Sequence, residues 1–131
     1  MVAEIEVGDR IRVRNVFAAV DCGLVVNPDG MRNQIEGGII QAISWTLKEA
    51  VTWDRERVTS RSWDRYPILR FDEVPEIQIV VLERPLSPSL GVGECAAGPV
   101  AAALANALYD ALGVRMRDLP LTPERIVQAI G

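Results

Sequence analysis

Few side chains in this sequence could do chemistry, and Glu94 is the best placed of them. It stands in the run Gly91-Val92-Gly93-Glu94-Cys95, just ahead of an alanine-rich stretch. Gly91 and Gly93 can both take positive φ and let a ligand come close to the main chain. The first turn of the following helix would offer unpaired N–H groups to an anion or an oxygen-rich cofactor. That helix end favours the charged carboxylate. Burial among Val92, Cys95, Ala96 and Ala97 would oppose it, and a general base needs the two in balance. From position alone, a structural loop glutamate is the commoner case.

Two amides form the next candidate group. Gln34, Gly38 and Gln41 fall at i, i+4 and i+7, so they share one helix face. Ile35, Ile39 and Ile43 line the adjacent face. An amide both donates and accepts, so it can meet an oxo group or the polar edge of a ring. The plain alternative is a solvated glutamine, with Gly37-Gly38 letting another element approach. Asp21 and Asn27 read as ordinary turn residues. Cys22 reads as a small buried hydrophobe, and Cys95 would be reactive only if exposed.

Composition narrows the rest. There is no histidine, which removes the usual general base, the serine-hydrolase triad and most zinc sites. Two cysteines cannot hold a four-cysteine iron–sulfur cluster, and their separation gives no support for a disulfide. A net charge of −4 without a basic stripe excludes the footprint of a nucleic-acid binder. The apolar runs are too short to span a bilayer, and the acidic N-terminus is unlike a signal peptide. The composition reads as cytoplasmic.

These candidates need elements to position them. The expected class is α+β: an N-terminal β-hairpin, a long helix, a further strand and two C-terminal helices, in one domain over 1–131. In residues 4–14 a three-residue loop, Gly8 to Arg10, sets Val7 opposite Ile11 and Ile5 opposite Val13. It also puts Glu6 across from Arg12 and Glu4 across from Arg14. The run Val16 to Val20 then reads as a fully buried strand segment. Asn27-Pro28 starts a helix expected to reach about Thr52. A polar connector, a strand over 76–84, a helix over 99–112 stopped by Gly113 and a last helix from Thr122-Pro123 to Ile130 complete the order.

Three ordered stretches carry a resemblance. "VDCGLVVNPDGMRNQIEGGIIQAIS", "WDRYPILRFDEVPEIQIVVLE" and "GVGECAAGPVAAALANAL" resemble the C-terminal part of the molybdenum-binding subunit in the xanthine dehydrogenase and aldehyde oxidase superfamily. The nearest look is the isoquinoline 1-oxidoreductase type. The resemblance implies oxidative hydroxylation of an N-heterocycle or aldehyde, with water as the oxygen source. It implies a molybdopterin cofactor, in a bacterial enzyme of this type the cytosine dinucleotide form. It makes Glu94 the general base on the molybdenum-bound hydroxide, and Gln34, Gly91, Val92 and Gly93 the cofactor-binding residues. No residue is implied as a metal ligand.

The same resemblance implies partners: the remainder of the molybdenum subunit and an iron–sulfur subunit. The chain would be a fragment or a split-gene product, inactive and without cofactor on its own. For the parent enzyme a periplasmic location stays open. In related sequences proline usually follows the glutamate, where this chain has Cys95. The alternative reading is a non-catalytic assembly or interaction domain that retains the fold, with self-association as a homodimer.

Overall fold

A computed structural model describes residues 1–131. Strand β1 (Val2–Val7) pairs antiparallel with β2 (Ile11–Val20), and β2 pairs parallel with β3 (Glu76–Val81), giving the order β1-β2-β3. Helix α1 (Pro28–Leu47) lies in the crossover from β2 to β3. Helices α2 (Ala97–Leu112) and α3 (Pro123–Ile130) follow. The α+β expectation holds, with the strand and helix order read from the sequence. No helix is long and apolar enough to cross a membrane.

The hairpin register is as expected for Val7↔Ile11, Glu6↔Arg12 and Ile5↔Val13. Beyond that the sequence reading is corrected. The pairing shifts between Glu4 and Ile5, so Glu4 faces Asn15 rather than Arg14. Arg14 is the extra residue of a β-bulge. Its guanidinium ion-pairs with Glu6, while Asn15 Nδ2 donates to Glu4 Oε2 at 2.6 Å. The bulge resets the alternation of β2. Val13, Val16 and Ala18 face the core, and Phe17 and Ala19 face outward. The segment 16–20 is therefore two-sided rather than wholly buried.

Helix α1 starts where expected. Asn27 Oδ1 accepts the Gly30 N–H at 3.0 Å, and Pro28 needs no N–H partner in the first turn. It stops at Leu47, five residues short of the expected Thr52. Thr52 and Trp53 belong instead to a small turn closed by the Trp53↔Val58 bridge, with Thr59 N–H donating to Thr52 O at 2.7 Å. Strand β3 ends at Val81 rather than Arg84. One more hydrogen bond, Leu82 N–H to Val20 O at 2.9 Å, closes the sheet. Helix α2 begins two residues before Pro99 and ends at Gly113, whose φ of 70° stops it.

A single apolar cluster joins these elements. It contains Val13, Val16 and Ala18 of β2, Ile35, Ile39 and Ile43 of α1, and Val100, Leu104 and Leu108 of α2. Leu121 and Ile126 close it from the C-terminal side, and Leu121 N–H donates to Thr46 O at 2.7 Å.

At the hairpin end, Glu73 joins three segments. It accepts from Lys48 Nζ (2.6 Å to Oε1), from Arg70 N–H at 2.8 Å and from Arg10 Nη1 at 3.4 Å. Desolvation pushes its carboxyl up, but the Lys48 and Arg70 hydrogen bonds and the nearby cationic charges outweigh this and hold it below its ordinary value of 4.5. A depressed folded value means the unfolded chain binds the proton more readily. The contact's stabilisation is thus complete above 4.5 and is lost as pH falls through the lower folded value. Glu73→Gln should cost about 1–2 kcal/mol at pH 7 by urea unfolding, with the gap to wild type closing as pH falls through the lowered folded value. A gap independent of pH would rule out the charge as its source.

Candidate functional site

The sequence-predicted residues meet where the 82–96 loop returns to α1. Gln34, one position before the buried Ile35, projects from α1 and donates its Nε2–H to Gly93 O at 2.8 Å. Four residues on, Gly38 lies under the loop's exit. A Cβ added there would touch the Ala96 Cβ at 3.6 Å, ordinary contact. Gly37 faces open space, so a side chain would fit at either glycine and the expected close approach does not require the pair within this chain. Gln41, at the next position of the stripe, is exposed.

Two expectations for the loop are corrected. Gly91 and Gly93 do not take positive φ; the glycines that do are Gly23, Gly113 and Gly131. Their lack of a side chain instead leaves an open surface, since nothing lies within 4 Å of an added Cβ at either position. Glu94 is not buried among its apolar neighbours. It is exposed, as is Cys95, while Ala96 next to them is buried. The reason is local: Ala97 N–H donates to Glu94 O at 3.1 Å, so the main chain turns into α2 at this point. The turn seats Ala96 in the core, and Glu94 has no ion pair within the chain.

The loop's other end is fixed by the turn after β2, to which the sequence reading assigned no chemistry. Leu90 N–H donates to Cys22 O at 2.8 Å and Leu24 N–H donates to Ser87 O at 3.3 Å. Asp21 Oδ1 accepts the Gly23 N–H at 3.3 Å, and Oδ2 accepts from Arg84 Nε at 3.2 Å. The Gly23 N–H first, then the Arg84 guanidinium, hold the Asp21 carboxyl below its usual range. Cys22 is buried as expected, its Sγ 3.4 Å from Met31 Sδ. The one local signal was the Asp-Cys-Gly turn itself. Its partner, Pro88, lies far along the chain and could not be read from pattern. A shallow apolar groove runs beside this contact, between Leu24, Val25 and Met31 on one side and Leu90 and Val92 on the other.

Gln34 and the 91–94 loop are thus brought together, with Glu94 free on the open side. A more enclosed cavity, walled by Ile11, Val13, Leu47, Leu69 and Leu121, contains none of these residues. No three of the acidic and cysteine side chains cluster with metal-binding geometry.

A family profile described as a molybdopterin cofactor-binding domain matches residues 1–75. A nicotinate dehydrogenase chain of Pseudomonas putida is 45% identical over 99% of this chain, which spans 11% of that relative. The beta chain of isoquinoline 1-oxidoreductase from Brevundimonas diminuta is 34% identical over 86% of this chain and 14% of its own length. Among solved structures, quinoline 2-oxidoreductase from Pseudomonas putida 86 superposes with a TM-score of 0.82 at 38% identity. That match covers 92% of this chain and 16% of the other. The chain therefore spans well under a fifth of the proteins it matches.

The site's exposure is open to a direct check. With the folded chain, a maleimide should label Cys95 within minutes and leave Cys22 unmodified until denaturant is added. Rapid labelling of both thiols, or of neither, would contradict the packing described above.

Proposed function

The chain belongs to the molybdopterin cofactor-binding family of molybdenum-binding subunits, and from that premise we propose that it supplies the general base of a molybdenum hydroxylase. The reaction is oxidative hydroxylation of an N-heterocycle or an aldehyde, with water as the oxygen source. The relatives' names support the substrate class, since nicotinate, isoquinoline and quinoline are aromatic N-heterocycles. The observation that carries the reading is Glu94: an exposed carboxylate without an ion pair in the chain, on a loop pinned to α1 by Gln34.

The residues present fit the cofactor. The faces of Gly91 and Gly93 are bare, so a large rigid group can lie against the main chain with no Cβ in the way. Gln34 gives one of its two N–H groups to Gly93 O and keeps its amide oxygen for a donor on the pterin. The lack of a protein ligand cluster suits a metal that arrives already held by its own dithiolene. That group would supply an activated water oxygen and an acceptor for the electron pair of the substrate C–H bond.

The chain's own part is positional and acid–base. Glu94 takes the proton from the attacking oxygen. Gln34 fixes the height of the loop, and the half-buried Val92 packs against the core. The other walls of the site come from the rest of the catalytic subunit, and the electrons leave through an iron–sulfur subunit. The pterin is the cytosine dinucleotide form, and the isolated chain is inactive without these partners.

The test is Glu94→Gln in the assembled enzyme. Removing a general base should lower kcat about 10²- to 10⁴-fold. Molybdenum per subunit should stay at the wild-type level, because the amide keeps the size of the side chain. Wild-type turnover at full metal content would refute the role. So would a loss of activity that merely tracks loss of metal.

A further inference from the structure

We propose that Gly23 is a positioning residue for Glu94: the turn Asp21–Leu24 is the seat of the catalytic loop, and its centre admits no side chain. The proposal rests on the reading of Glu94 as the general base. Gly23 holds φ at 70°, a conformation that L side chains rarely adopt. Space forbids a side chain as well. A Cβ at this position would lie 1.9 Å from Pro88 O and 3.6 Å from the Ser89 Cα.

Neither side can yield cheaply. Cys22 is buried against Met31. Hydrogen bonds bracket the contact on both sides, Leu24 N–H to Ser87 O and Leu90 N–H to Cys22 O. Arg84, at the start of the loop, is held by Asp21 at 3.2 Å. To move from 1.9 Å to the 3.4 Å of ordinary contact, the Pro88 carbonyl must lift. The lift passes along Ser89 and Leu90, and Glu94 follows four residues farther along the loop. Gln34 then holds Gly93 O from α1 alone. A shift of about 1 Å in a reacting group can cost roughly 100-fold in rate.

The experiment compares Gly23→Ala, Glu94→Gln and the double variant in the assembled enzyme. Readouts are molybdenum per subunit, kcat, KM and amide hydrogen exchange. Gly23→Ala should retain molybdenum and lower kcat about 100-fold, with KM changed less than about threefold. Exchange should rise at the Leu24 and Leu90 amides and across 89–95. Adding Gly23→Ala to Glu94→Gln should cost nothing further, because a residue acting through Glu94 has nothing left to position.

Wild-type kcat and exchange in Gly23→Ala would overturn the proposal. So would losses that multiply in the double variant, since they mark a general structural role. If Gly23→Ala does not assemble, Arg84→Gln tests the same seat from the surface. It should give a smaller loss of kcat and faster exchange at Leu90, both restored by Arg84→Lys; unchanged exchange and kcat would count against the seat. A fully active Glu94→Gln enzyme refutes the general-base reading instead. Faster exchange over 89–95 in Gly23→Ala would then still support the turn as the seat of this loop.

Discussion

Ile35, Ile39 and Ile43 are wholly enclosed, and their four-residue spacing fixes how α1 is rotated about its axis. Burying each such side chain contributes about 1.5–3 kcal/mol, so no other rotation competes. The orientation of the neighbouring stripe follows without further cause. Gln34 and Gly38 each stand one position before an isoleucine, about 100° around the helix. That angle delivers one to Gly93 and the other to Ala96. Turned by one residue, the helix would bury two amides without partners, at a cost of about 1–3 kcal/mol for each unsatisfied group. The core therefore sets the register of the candidate site, although none of the core residues belongs to it.

The sheet supplies the second constraint. Because β2 and β3 run parallel and end in register at Val20↔Val81, both chains leave the sheet at the same end. Asp21 and Arg84 are thereby adjacent, and the turn after β2 meets the loop after β3. An antiparallel pairing would have sent the two loops to opposite ends and left Glu94 without a seat. The bulge at Arg14 matters for the same reason. It turns Val16 and Ala18 inward in the half of β2 that pairs with β3, while Val13 keeps that role in the half that pairs with β1.

Much of this was legible in the sequence where the cause is local. Asn27-Pro28, Thr122-Pro123 and Gly113 mark helix ends through their own backbone chemistry, and the first three hairpin pairs follow from alternation. The motif residues Gln34 and Gly91 to Glu94 were legible too, and the fold brings them together. What was missed depends on contacts distant in sequence. Glu4 can satisfy itself with Asn15 as well as with Arg14, so charge pairing could not reveal the bulge. The early end of α1 precedes the Trp53–Val58 turn, which pairs residues that pattern alone did not connect. Gly91 and Gly93 looked suited to positive φ, whereas Gly23 alone in this region both needs positive φ and is crowded by a carbonyl.

The candidate base has a position here but little environment. Glu94 is exposed, and the outer face of the sheet also presents Val2, Phe17 and Val80 to solvent. A general base is tuned by desolvation and by the charges around it. The two contributions are thus separable in space. This chain fixes where the carboxylate stands, through Gln34 on one side and the Asp21–Leu24 turn on the other. In the proposed role, desolvation of that carboxylate is left to groups outside this chain. On the proposed reading, a substitution in the seat would act on geometry and one in the covering groups on proton affinity, so the pH dependence of the assembled enzyme's turnover would distinguish them.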